Sequence, residues 1–211
     1  ETFFDGGNGY GYGIDVTKPY IKLDRLSFVR YYYGVQVFGS NEEMNLSTIC
    51  GCSNSGVYLS STYNNVISVK DLNQCSTNFN YYSGGYSNIT IGNTIGGSHA
   101  SNGGGLHINN ASNVKISIQR CWGHKTLGIA SLVSSSRFTY IGNIEYCGDC
   151  GLLVYDGGCT IEYLGNVRYN KFSGIRIGQP GTSVYSHNNT IYYIESISTN
   201  GNYGIEMCGN N

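Results

Sequence analysis

The chain repeats a four-residue phrase at a fixed interval. Gly105-Leu106-His107-Ile108, Gly128-Ile129-Ala130-Ser131, Gly151-Leu152-Leu153-Val154 and Gly174-Ile175-Arg176-Ile177 carry their glycines at 105, 128, 151 and 174, 23 residues apart each time. A constant period in this range marks stacked repeats, each unit burying its apolar face on the next. The phrase recurs at Gly13-Ile14, Gly34-Val35, Gly56-Val57 and Gly204-Ile205. A further copy is read at Asn78-Phe79-Asn80-Tyr81, with Asn standing for Gly as the other residue that tolerates positive φ. That makes nine copies.

A second ladder keeps phase with the first: Ile21/Leu23, Met44/Leu46, Ile67/Val69, Ile89/Ile91, Val114/Ile116, Phe138/Tyr140, Ile161/Tyr163 and Ile191/Tyr193. A looser third holds Leu26/Phe28, Ile49, Leu72, Cys121, Ile144/Tyr146, Val167/Tyr169 and Ile197. Apolar residues alternate with a period of two and β-branched types dominate. Both features oppose helical repeats, and the dense leucine consensus of leucine-rich repeats is missing. The expectation is an all-β, single-stranded, right-handed parallel β-helix of about nine rungs, with about 23 residues and three short strands per rung.

Within that frame, residues 1–12 read as a lead-in or joint and 13–211 as the β-helix. The stretches 78–104 and 178–203 break the period and read as loop insertions. Neither end offers a capping helix, so the expectation is a segment of a longer chain or one whose ends are covered by partners.

Charged residues are 12% of the chain and the net charge is −1, which leaves no electrostatic footprint for nucleic acid. No apolar run is long enough to span a membrane. Polarity comes from Asn, Ser, Thr and 20 tyrosines, a surface suited to sugars or to other subunits. The sequons at Asn45, Asn88, Asn110 and Asn188 are expected by chance in so Asn-rich a chain. Eight cysteines leave two readings open, core thiols or disulfides. Cys52 and Cys75 belong on neighbouring rungs, about 4.8 Å apart. The Cys50/Cys52 pair lies about four rungs, roughly 19 Å, from Cys147/Cys150, which argues against a shared zinc site. No acidic cluster has calcium-loop spacing, so neither metal nor cofactor is expected.

In each phrase the middle position should point outward. The outward column reads Asp15, Gln36, Tyr58, Asn80, His107, Ala130, Leu153, Arg176 and Glu206, a strip of roughly 43 Å at the usual strand spacing. Tyr58, His107 and Arg176 are candidate sugar contacts on it. Trp122 and His124, in the turn Trp122-Gly123-His124-Lys125, are two more, because an indole can cover a sugar ring. Glycoside hydrolysis needs two carboxyl groups about 5–10 Å apart. The densest acidic group is Glu145, Asp149, Asp156 and Glu162, the candidate catalytic set. Asp149 and Asp156 should lie above 15 Å apart if the strand between them is extended, too wide for a dyad. Glu145 and Arg168, 23 apart, should form an inter-rung ion pair of small worth.

The Gly-aliphatic-x-aliphatic phrase and its companion ladders, over about residues 13–208, resemble the right-handed parallel β-helix, pectin-lyase-like superfamily. The polygalacturonase pattern of Asn-Thr-Asp, Asp-Asp, Gly-His-Gly and Arg-Ile-Lys is not met. The nearest stretches are Asn93-Thr94-Ile95, Gly123-His124-Lys125 and Arg176-Ile177-Gly178, and no adjacent Asp pair exists. The Asp-Pro-His of alginate epimerases and the clustered aspartates of calcium-dependent pectate lyases are also missing. In character the chain is most similar to bacteriophage tailspike and tail-fibre β-helices. That resemblance implies a trimeric, virion-borne or cell-surface module binding or cleaving bacterial polysaccharide. The alternatives are a polysaccharide hydrolase or lyase, and a structural stalk.

Overall fold

The computed structural model describes residues 2–98, 103–132, 135–155, 158–178 and 188–208. Every described element is a strand, and every pairing is parallel. The chain is a β-solenoid whose turns take about 23 residues each.

The repeated phrase forms the first face. Its strands are Tyr12–Val16, Tyr33–Val37, Ser55–Tyr63, Thr77–Gly85, Leu106–Asn109, Ile129–Leu132, Leu152–Val154, Ser173–Ile177 and Tyr203–Met207. Each pairs in register with the next, so Leu106, Ile129, Leu152, Ile175 and Ile205 stand in one column. The first and last of these strands have a neighbour on one side only. The solenoid therefore has about seven complete turns, fewer than the nine rungs expected from counting phrases.

The two companion ladders were expected as separate short strands. Through the first turns they are instead one long strand with a bend: Lys22–Val29, Glu43–Cys50, Val66–Cys75, Asn88–Ser98, Ala111–Trp122 and Ser135–Glu145. The bend falls at register shifts, such as Val69/Asp71 and Ile118/Cys121, where an extra residue turns a strand without ending its pairing. Only the later turns split into two, as in Thr160–Ile161 and Leu164–Arg168.

Three boundaries change. The lead-in contains a strand, Thr2–Asp5, which pairs with Leu26–Val29. Residues 78–98 are not a loop but two registered strands, and residues 99–102 lie outside those described. In the second expected insertion, Thr190–Ile191 and Ile194–Ser198 are strands, and 179–187 lie outside the described residues.

Inward columns fill the interior: Val35, Val57, Phe79, Leu106 and Ile129 on the first face, and Ile67, Ile89, Ile116 and Phe138 on the second, are fully buried. Each such side chain contributes about 1.5–3 kcal/mol through burial. The phrase glycines have a different cause from the one the Asn78 substitution suggested. None at 34, 56, 105, 128, 151 or 174 has positive φ. A Cβ at Gly128 would sit 2.5 Å from the Gly151 carbonyl and 2.9 Å from the Cys147 sulfur, so packing alone requires glycine. Asn78 adopts no left-handed conformation. Its buried amide accepts from the Cys75 N–H (3.1 Å) and donates to the Gly96 carbonyl (3.2 Å).

All eight cysteines are free. Cys52 and Cys75 stack as their spacing implied, with the Cys52 N–H 3.4 Å from the Cys75 sulfur. No helix among the described residues is long and apolar enough to cross a membrane.

Candidate functional site

The site grows out of one corner of the solenoid. Just past the bend of each long strand, where the chain turns back to the first face, one residue in each turn adopts a left-handed conformation: Arg30, Gly51, Gln74, Gly97, Gly123, Tyr146, Tyr169 and Thr199, with φ from 41° to 70°. That conformation bends the chain sharply toward the first face. The residue after it points back into the corner. Cys52, Cys75, His124, Cys147, Asn170 and Asn200 occupy this slot.

His124 is therefore an interior side chain, 2% exposed, with Nε2 3.3 Å from the Ile95 carbonyl. Burial lowers its pKa to about 4, so it is neutral near pH 7. It does not share the surface with Trp122, because the left-handed Gly123 between them turns the chain so that the two side chains point to opposite sides. His107 lies near it, with its pKa also lowered by burial. Nε2 of His107 and Nδ1 of His124 have no hydrogen-bond partner.

The position just before the left-handed residue forms an outward column in strict register, Val29, Cys50, Asn73, Gly96, Trp122, Glu145, Arg168 and Ser198, and Asp5 pairs with Val29 at its start. Gly96 is the pivot. A Cβ there would come within 2.6 Å of the Trp122 ring nitrogen and 2.7 Å of the Asn73 amide oxygen. Having none, it lets the indole lie over the turn below, where its N–H donates to Thr94 Oγ1 at 3.0 Å. Arg120 lies over the ring at 5.4 Å. The indole, 40% exposed, walls a groove of about 380 Å³ lined by Cys50, Asn73, Gln74, Thr94, Gly96 and Gly97. The lining offers an aromatic plate, amide donors and acceptors, a hydroxyl, and no charge.

Beyond Trp122 the same corner is filled. Glu145 is 2% exposed. Its carboxylate accepts from Arg120 Nη2 and Arg168 Nε, each at 2.7 Å. The stacked pair with Arg168 is as the spacing implied, but burial and the second arginine make it more than a surface pair. Burial alone would raise the Glu145 pKa; the hydrogen bonds from Arg168 and Arg120 bring it below the usual range.

The other candidates do not converge. Glu162 accepts from Arg137 Nε at 2.8 Å on the second face. Asp149 accepts from Arg176 Nη1 at 3.2 Å. Arg176, itself part of the expected sugar strip, also binds Glu206 at 2.7 Å. Asp156 lies outside the described residues. Each described member of the acidic set is thus held by arginine, and none faces another as a reactive pair.

The expected outward strip on the first face is in register as read, from Asp15 through Tyr58 and His107 to Glu206. It is not a flat solvated strip. Gln36, Ala130 and Leu153 are buried, the last two in a small apolar cluster with Cys150 and Leu127. Tyr58 packs among Tyr33 and Phe38, with ring centres 5.2 and 6.4 Å away.

Sequence reasoning found Trp122 and missed Asn73, Gln74, Thr94, Gly96 and Gly97. The signal was present in the spacing of Gly51, Gln74 and Gly97, 23 residues apart. Among the described residues no group of three or more His, Cys, Asp or Glu is placed to hold a metal ion. No family model, curated protein or solved structure matches the chain.

Proposed function

We propose that this chain is a carbohydrate-binding module, reading glycans through the Trp122 corner groove. The observation that carries the proposal is the indole laid over Gly96, anchored by Thr94, beside the amides of Asn73 and Gln74. A pyranose ring has an apolar C–H face and a rim of hydroxyls. The indole takes the former and the amides the latter, an apolar wall with a few placed polar groups. Lack of charge in the lining favours hydroxyl-rich ligands over ionic ones.

Fold-level analogy extends the proposal to a host-recognition or adhesion module, a homotrimer on a virion or cell surface facing bacterial polysaccharide. The tyrosines stacked from turn to turn, Tyr140 on Tyr163 and Tyr146 on Tyr169 with ring centres 5.1 and 5.0 Å apart, and the low charge suit such a rigid, exposed role. Engagement of Glu145, Asp149 and Glu162 by arginines weighs against a degrading enzyme using that set.

Binding to an array of neutral and acidic glycans tests the proposal, with Trp122→Ala beside the native chain. The expected result is binding by the native chain that falls at least about tenfold in the variant, the scale of an anchoring aromatic. Far-UV circular dichroism of both chains controls for folding. Binding unchanged by Trp122→Ala refutes this site, and binding to no glycan refutes the function.

A further inference from the structure

The Trp122 groove does not end at Cys50. A second cavity of about 610 Å³ continues from it down the same corner, sharing Cys50 and Gln74 and adding Gly51, Arg30, Asp5 and Phe3. The floor is one column, Asp5, Val29, Cys50, Asn73 and Gly96, closed by Trp122. Five strand steps at about 4.8 Å give a trough of roughly 24 Å parallel to the solenoid axis. An aromatic ring stands at each end: Trp122, and Phe3, which is 61% exposed.

Resting on the carbohydrate reading above, we infer that this trough takes an unbranched, uncharged glycan chain of about four or five units laid along the axis. Three features carry the inference. The first is length. A sugar unit built from bonds of about 1.5 Å spans roughly 5 Å along an extended chain, close to the strand spacing, so successive units meet successive turns. The second is repetition. Each turn presents the same two backbone positions to the trough, filled by Val29/Arg30, Cys50/Gly51, Asn73/Gln74 and Gly96/Gly97. A repeating wall suits a repeating ligand. The third is charge. The charged residues in the lining are Arg30 and Asp5, and they are paired, with Arg30 Nε donating to Asp5 at 2.9 Å. An acidic sugar would find no unpaired cation there to offset the loss of its hydration.

The test uses the native chain with linear neutral oligosaccharides of one to six units, built from glucose, mannose, galactose or N-acetylglucosamine, and uronic-acid chains of matched lengths. Calorimetric titration reads affinity. The expected result is a neutral series whose Kd falls with each added unit up to four or five and then levels. Phe3→Ala should weaken the longest member on the order of fivefold while leaving the shortest unchanged. Gly51→Tyr, which fills the second cavity from a left-handed position that Tyr146 and Tyr169 also occupy and lies outside the Trp122 groove, should do the same. Equal affinity for short and long chains, preference for uronic acids, or a long-chain affinity untouched by both variants overturns the extended trough while leaving the Trp122 site standing. Binding of no member of any series, by the native chain in these titrations or on the array, removes the carbohydrate reading and the trough with it.

Discussion

One corner of the solenoid behaves in two ways along its length. From Asp5 to Gly96 the outward column carries small or short side chains, and the left-handed column beside it holds Gly51, Gln74, Gly97 and Arg30, the last held down on Asp5. The result is a trough. From Glu145 to Arg168 the same two columns hold Glu145 and Arg168, joined to each other and to the neighbouring Arg120, and the Tyr146–Tyr169 stack, ring centres 5.0 Å apart, with Arg168 5.5 Å from the Tyr169 ring. The result is a ridge. The backbone follows one course in both, with φ of 54° at Gln74 and 58° at Tyr146. Side-chain volume alone decides whether a turn opens a groove or closes it. Trp122 stands at the boundary, turned onto the trough side because Gly96 leaves room there.

The largest expected effect comes from dismantling the ridge. Glu145→Ala leaves two arginines without their shared partner. They keep access to water, so the cost is about 2 kcal/mol rather than that of a fully buried pair. Urea denaturation should show it as a lower midpoint with an unchanged slope. The same carboxylate makes stability depend on pH. Its folded pKa lies below the unfolded value, so its contribution is complete above about pH 4.3 and is lost as pH falls through the folded pKa. Glu145→Gln should flatten the stability profile in that acid window.

Converting trough to ridge comes next. Gly97→Tyr places a ring where no atom lies within 4 Å of the new Cβ, at a left-handed position that Tyr146 and Tyr169 already show to be open to tyrosine. Strain of about 1 kcal/mol leaves the fold intact, while glycan affinity should drop at least about tenfold. Calorimetric titration and a melting curve separate the two effects. The smallest change is Tyr146→Ala, which removes one ring of the stack. A loss of about 1 kcal/mol with glycan affinity unchanged would confirm that the ridge supports the fold and takes no part in binding.

The period and the alternation made the fold legible, because burial imposes them on every turn. The Glu145–Arg168 contact followed from the same count. The corners were legible only as a spacing. Arg30, Gly51, Gln74, Tyr146 and Thr199 share a backbone conformation and no chemistry, so no residue-type signal marks them. That gap explains the misplacement of His124. Its place in the column with Cys52, Cys75 and Cys147 becomes visible only when the turns are aligned by their bends. The bent strands escaped because the bend shows in the sequence only as a three-residue step in a two-residue apolar alternation, as at Ile67, Val69 and Leu72, which reads as a break between strands. The groove was harder still, being made by missing bulk at Gly96 and Gly97, one turn away from the indole that walls it.

Trp122 is the single tryptophan of the chain, so its emission reports on this groove and nothing else. Titrating the native chain with the best-bound neutral oligosaccharide should give a saturable change in tryptophan fluorescence, with the same midpoint as calorimetry, and Gly97→Tyr should abolish it. Calorimetric binding accompanied by unaltered tryptophan emission would place the sugar elsewhere on the solenoid and contradict this account.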